Sequence, residues 1–99
     1  MIKLNSMRNY NEVAIKDQYI VYFLNGKYHR TDGPAFIYYY ENGQVNCVYY
    51  YLNDKRHRTD GPAIIRYYEN GQIQSEKYYL NSKPLSKKEF DKRCKTTMK

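Results

Sequence analysis

The segment HRTDGPA occurs twice, at residues 29–35 and 57–63. Each copy sets a histidine three residues before an aspartate, His29 with Asp32 and His57 with Asp60, which is a residue pair suited to general acid–base chemistry. Such chemistry also needs a substrate pocket and usually a nucleophile, and Thr31 and Thr59 are the only adjacent candidates. Metal ligation fits less well, because equivalent histidines on stacked hairpins would lie roughly 10 Å apart. A metal ion holds its ligands at about 2 Å. A structural reading accounts for more of the motif. Asp32, Asp60 and the threonines can accept hydrogen bonds from loop amides, Gly33 and Gly61 can supply an unusual φ, Pro34 and Pro62 can end the turn, and His29 and His57 can fill the loop. The motif is therefore expected to be a structural loop, with no catalytic residue, no metal site and no cofactor.

The elements that position this loop follow from the repeat. Offsetting the chain by 28 residues aligns residues 22–44 with 50–72, identical at 18 of 23 positions. A third copy starts as YYLNSK at residues 78–83 and breaks off at Pro84, while residues 16–21 complete the first copy on its N-terminal side. Periods of 20 to 50 residues signal a modular array in which each unit buries its surface against the next. Within a unit, AFIYYYE and AIIRYYE are rich in β-branched and aromatic residues and run into Asn-Gly, which predicts a type I′ hairpin turn at Gly43 and Gly71. The segments 44–53 and 72–81 return as longer strands. Two strands per unit keep every unit facing the same way, whereas three would reverse each successive one. The HRTDGP segment is accordingly expected to be a long loop with at most a short ladder of its own. Alternation places Tyr22, Tyr50 and Tyr78 on one face with Leu24, Leu52 and Leu80, and Phe23, Tyr51 and Tyr79 on the other.

After Pro84 the period changes. Ser86 followed by Glu89 has the pattern of a capping box, with Leu85 and Phe90 at the spacing of a hydrophobic staple, so a short helix that caps the last hairpin is predicted. The expected fold is mainly β: an antiparallel β-meander of stacked hairpin repeats with a short C-terminal capping α-helix. It forms a single domain with an N-terminal segment at 1–15, the array at 16–83, the helix at 86–95 and a tail at 96–99.

Composition narrows the function classes. A chain of 99 residues hides only about 60–65% of its unfolded surface, which disfavours a large enclosed cavity. Fourteen tyrosines must supply much of the packing. Cys47 and Cys94 have neither zinc-site spacing nor the density of a disulfide framework, which suits a reducing interior. The N-terminal residues lack a basic-then-apolar leader pattern and no apolar run reaches the length of a membrane span, so a cytoplasmic protein of a bacterium or virus-infected cell is expected. Of the net charge of +7, residues 86–99 carry +4, unlike a uniformly basic nucleic-acid binder.

The YYENGQ and YYLNGK-like segments resemble the MORN family, and HRTDGPA resembles repeats of the form LNGKxHRxDGPA found in bacterial, phage and giant-virus proteins. The likeness covers residues 19–83, with a period of 28 against about 23 in MORN repeats. It implies a β-sheet repeat module that binds a partner, and it implies no catalytic residue. A non-catalytic protein-interaction module is expected, a phage- or virus-derived inhibitor of a host or defence protein being one form of it. Binding of RNA or single-stranded DNA is the alternative. The candidate contact residues are Arg30, Arg58, Lys27, Lys55 and Arg56 on the loop edge and Lys87, Lys88, Lys92 and Arg93 on the helix. Exposed sheet edges make pairing with another copy a further expectation.

Overall fold

Runs of aromatic and β-branched residues, punctuated by Asn, Gly and Asp, give this chain an antiparallel sheet. The computed structural model describes residues 10–96; the expected N-terminal segment before Tyr10 and the tail from residue 97 lie outside them. Among the described residues the strands are β1 (Glu12–Ile15), β2 (Tyr19–Leu24), β3 (Lys27–Tyr28), β4 (Phe36–Tyr39), β5 (Val45–Tyr49), β6 (Tyr51–Leu52), β7 (Lys55–Arg56), β8 (Ile64–Tyr67), β9 (Ile73–Leu80) and β10 (Lys83–Leu85). One helix among the described residues follows them, α1 (Lys87–Thr96). The meander runs β1-β2-β4-β5-β8-β9-β10, with β3 paired to β2 and with β6 and β7 forming a small ladder of their own. β1 lies in the expected N-terminal segment 1–15, where no strand is predicted.

The two-strand parity holds in the meander, where β2, β5 and β9 run in the same direction and β4 and β8 return between them. The third strand of each unit is the short outlying one. Each long strand crosses from the meander into a small hairpin at a tyrosine. Tyr22 and Tyr50 donate to the carbonyls of Ala35 and Ala63 at 2.8 and 2.7 Å, and their own carbonyls accept from the amides of His29 and His57. Ala35 and Ala63 are fully buried where the HRTDGP loop re-enters the sheet. A larger side chain there would have to fit against the neighbouring strand.

The I′ turns do not fall at Asn42-Gly43 and Asn70-Gly71, where the hairpin signal of each unit predicts them. Among the described residues the pairs with positive φ are Asn25-Gly26, Asn53-Asp54 and Asn81-Ser82, so the two-residue type I′ turns join β2 to β3, β6 to β7 and β9 to β10. At residues 40–44, Gly43 donates to the Tyr40 carbonyl at 3.0 Å and Tyr40 to that of Gln44 at 2.8 Å, and Gly43 has positive φ while Asn42 does not. That is a three-residue loop, a type I turn closed by a left-handed glycine, repeated at residues 68–72. A separate bulge follows each loop: Asn46 between the pairs Tyr39–Val45 and Tyr38–Cys47, and Gln74 between Tyr67–Ile73 and Arg66–Ser75, are the unpaired residues that shift the register. In each loop an Asn side chain, Asn42 or Asn70, accepts from the amide two residues on at 2.9 Å.

The helix begins where its capping box places it. Ser86 and Glu89 exchange bonds, from the Glu89 amide to Ser86 Oγ at 3.1 Å and from the Ser86 amide to Glu89 Oε1 at 3.2 Å. Phe90 is 4% exposed and sits 4.7 Å from the Tyr78 ring, which closes one face of the last unit.

The non-glycine residues at the second position of the I′ turns allow a test. Left-handed φ costs an L-residue roughly 1–2 kcal/mol. Ser82→Gly is therefore expected to stabilise the fold by about 0.5–1 kcal/mol. Asp54→Gly is expected to be near neutral, because Asp54 Oδ1 accepts from the Tyr28 amide at 2.8 Å and that bond would be lost. Urea denaturation of both variants checks the difference.

Candidate functional site

The two HRTDGP segments lie side by side and enclose a groove of about 460 Å³ lined by both loops together with Tyr50 and Leu52. Within each loop the arginine, aspartate and histidine side chains are already engaged. Arg30 donates from Nε to Asp32 at 2.8 Å and from Nη1 to the Pro34 carbonyl at 3.3 Å, while its guanidinium lies 4.0 Å above the Tyr22 ring. Arg58 does the same 28 residues on, with Asp60 at 2.8 Å, the Pro62 carbonyl at 3.1 Å and the Tyr50 ring at 4.0 Å. The arginine closes its own loop like a buckle, which is why the chain needs Arg at this position rather than Lys. Their side chains are only 19% and 22% exposed.

The glycines act through space, not through φ. Gly33 and Gly61 do not adopt left-handed φ, contrary to the sequence expectation; a Cβ at Gly33 would lie 3.0 Å from Arg30 Cζ, and one at Gly61 would lie 2.8 Å from Arg58 Cζ. The glycine leaves the room in which the guanidinium lies down.

The histidines reach out of their own unit. His29 Nδ1 accepts from the Asn53 amide at 3.0 Å, and His57 Nδ1 accepts from the Asn81 amide at 2.9 Å. Both amides belong to the next I′ turn. An accepting Nδ1 places the ring proton on Nε2. Thus the His/Asp pairs of the motif serve separate bonds: the imidazole holds the next unit and the carboxylate holds its own arginine. At the N-terminal end, where the motif is missing, Asn11 does the histidine's work through a 3.1 Å bond from the Asn25 amide to Asn11 Oδ1.

The expected basic row divides. Arg30 and Arg58 turn inward, while Lys27 and Lys55 are exposed across from Leu24 and Leu52. Arg56 lies across from Tyr51 on the other side, its guanidinium 5.2 Å from the Tyr79 ring. Hydrogen bonding to the Tyr51 hydroxyl, foremost, raises its pKa further. On α1, Lys87 pairs with Asp91 at 2.9 Å, Lys88 and Lys92 are exposed, and Arg93 lines a second groove with Cys94, His57 and Lys83. Among the described residues no group of three His, Cys, Asp or Glu side chains is placed to hold a metal ion.

Sequence reasoning missed a larger feature. Cross-strand partners share a face, so β2, β4 and β5 put Tyr19, Phe36, Tyr38 and Tyr49 together. Phe36 contacts the rings of Tyr19, Tyr28, Tyr38 and Tyr49 at centroid distances of 5.4 to 6.5 Å, and Tyr28 continues the cluster to Phe23 and Tyr51 at 5.5 and 5.1 Å. Arg66 donates to the Tyr49 hydroxyl at 3.3 Å. Burial pushes that hydroxyl above the ordinary tyrosine value, with Cys47 adding to the shift. The two loops and Phe90 of the helix all stack on the opposite face, on Tyr22, Tyr50 and Tyr78. The aromatic face is left uncovered by them. Period-2 alternation carried the signal, but the register that joins the rings is set by turns whose type the sequence misassigned.

The chain matches no family model, no curated protein and no solved structure. No helix among the described residues is long and apolar enough to cross a membrane.

Two substitutions separate these roles. His29→Ala leaves the Asn53 amide without its acceptor and is expected to destabilise the fold by about 2–3 kcal/mol, while His29→Asn, which copies the acceptor that Asn11 supplies, is expected to recover more than half of that loss. Gly61→Ala is expected to displace Arg58 and cost about 1–2 kcal/mol, and to cost almost nothing more in an Arg58→Ala background. Denaturation midpoints of the single and double variants measure both.

Proposed function

We propose that this chain is a non-catalytic recognition module, of the MORN-like kind its motifs resemble, that binds a protein partner through the aromatic face. The observation that carries the reading is the ring cluster around Phe36. Tyr38 at its margin is 40% exposed, and Arg66 and Arg56 border it. Tyrosine and arginine are the residue types enriched at interface hot spots, because both bring large, oriented contact area at low entropic cost. The histidines and loop arginines support the same reading from the other side, since the bonds described above occupy them in holding the fold. Free cysteines at Cys47 and Cys94 suit a reducing compartment, so the proposed setting is the cytoplasm of a bacterial or virus-infected cell, where a small module of this kind can inhibit a host or defence protein.

One observation favours a second reading. Arg56, Arg66 and Lys77 share the aromatic face with Tyr49 and Tyr51, and single-stranded nucleic acids bind by stacking bases on rings while cations take the phosphates.

Crosslinking of the intact chain in its native host cells decides between them. The protein reading expects one captured partner that is lost with Tyr38→Ala and with Arg66→Glu, and kept with Lys88→Glu on the helix. Affinity for a single-stranded oligonucleotide that falls steeply with salt, together with no protein capture sensitive to Arg66→Glu, would replace it with the second reading.

A further inference from the structure

We infer that the free edge of β1 is a self-complementary interface through which two copies of this chain pair into a continuous sheet. Among the described residues β1 ends the strand order, with β2 on one side only. The bond from the Lys16 amide to the Tyr19 carbonyl, 2.9 Å, fixes the phase of the ladder. Hydrogen-bonded pairs alternate along antiparallel strands, so Glu12, Ala14 and Lys16 direct their backbone groups at β2. The N–H and C=O groups of Val13 and Ile15 then point to the open edge. On the same strand Ile15 is 71% exposed and Val13 37% exposed, and the charged Glu12 and Lys16 at its two ends are exposed as well. A long apolar edge is ordinarily blunted by an inward charge, a bulge or a proline. Edge strand β10 has such protection in Lys83 and Pro84, and β1 lacks it at its centre.

The occupant follows from the sequence EVAIK. A two-fold axis normal to the sheet, centred on Ala14, sets each copy's Val13 opposite Ile15 of the second copy and each Glu12 opposite Lys16. In that register the outward groups of Val13 and Ile15 form two hydrogen-bonded pairs, giving four backbone bonds, and the two charge pairs at the ends are both opposite in sign. Centring on Val13 would need the Asn11 amide, which already donates to the Phe23 carbonyl at 2.8 Å, and would put Glu12 opposite Ala14 and Ile15 beside Asn11. Charge and apolar matching thus select one register. The axis is normal to the sheet, so the aromatic faces of both copies end on the same side.

The interface is short, well below the roughly 1,600 Å² of a standard stable complex, so the dimer is expected to be concentration-dependent. Sedimentation equilibrium of the full chain over about 10 μM to 1 mM is the test. The unmodified chain should rise from the monomer mass toward the dimer mass. Val13→Pro removes an outward donor without touching the ladder to β2, and Ile15→Lys replaces the exposed apolar contact; each should abolish the rise while circular dichroism stays unchanged. Glu12→Lys and Lys16→Glu should each weaken pairing about tenfold, since two attractions become two repulsions. An equimolar mixture of those two variants should restore it, because each then meets its opposite. A chain that stays monomeric throughout, a dimer that survives Val13→Pro, or a mixture no tighter than its components would overturn the proposal.

Discussion

A two-residue turn leaves two backbone amides with no partner in their own hairpin, and this protein resolves that deficit across units. At Asn53-Asp54 the amides go to His29 Nδ1 and to the Tyr28 carbonyl; at Asn81-Ser82 they go to His57 Nδ1 and to the Arg56 carbonyl. Every acceptor belongs to the preceding unit. An I′ turn of this kind is therefore complete only when its neighbour is folded, and the neighbour's loop is held in place by the same bonds. That dependence couples the units more specifically than apolar contact could, which matters in a chain with few aliphatic residues and a mostly half-buried interior. It also accounts for the choice of histidine: the ring offers a rigid acceptor at the right reach and fills the space around it, and His29 is 9% exposed.

The arginine does for the loop what the histidine does for the stack. By bonding Asp32 and the Pro34 carbonyl while lying on Tyr22, Arg30 satisfies loop polar groups and covers an aromatic ring that would otherwise face water. In the last unit the motif is gone, and an apolar ring takes over: Phe90 covers Tyr78 as Arg30 covers Tyr22. The helix is thus a replacement for a loop, which is why a capping box and one buried phenylalanine are enough to define it. At the other rim the replacement is incomplete. The Tyr40 hydroxyl bonds the Tyr67 carbonyl of the next unit at 2.7 Å, whereas Tyr68, its counterpart 28 residues on, has no following hairpin and is 50% exposed.

The long strands of the repeat, the number of meander strands per unit and the helix were legible because they rest on local periodicity and on the identity of residues three or four apart, whereas β1 and the short strands β3 and β7 were not. Nor were the turn types. Asn42-Gly43 carries the strongest two-residue turn signal, yet Tyr40 pairs with Gln44 and so encloses three residues, while Asn53-Asp54 and Asn81-Ser82 lack the glycine that marks an I′ turn and form one because their orphan amides are satisfied from outside. The roles of His29 and Arg30 were hidden for a related reason. Their partners lie 24 residues ahead and eight behind, distances that only the register of the folded sheet brings within 4 Å. The same register assembles the aromatic face from three strands, none of which reads as a site by itself.

The motif that looks most chemical in the sequence is the part of the molecule most fully occupied by folding. An imidazole whose Nδ1 is committed to an amide and a carboxylate committed to a guanidinium are poor choices for recognition, because a ligand must first displace a bond that joins two units or one that closes a loop. The rings on the opposite side are committed chiefly to one another, in tilted, T-shaped and stacked contacts that leave Tyr38 exposed and the others half-buried. What a partner can take without unfolding the chain is therefore aromatic surface and edge backbone. A stacked architecture tends to keep its polar side chains for internal bonds and to leave its flat surfaces for contact.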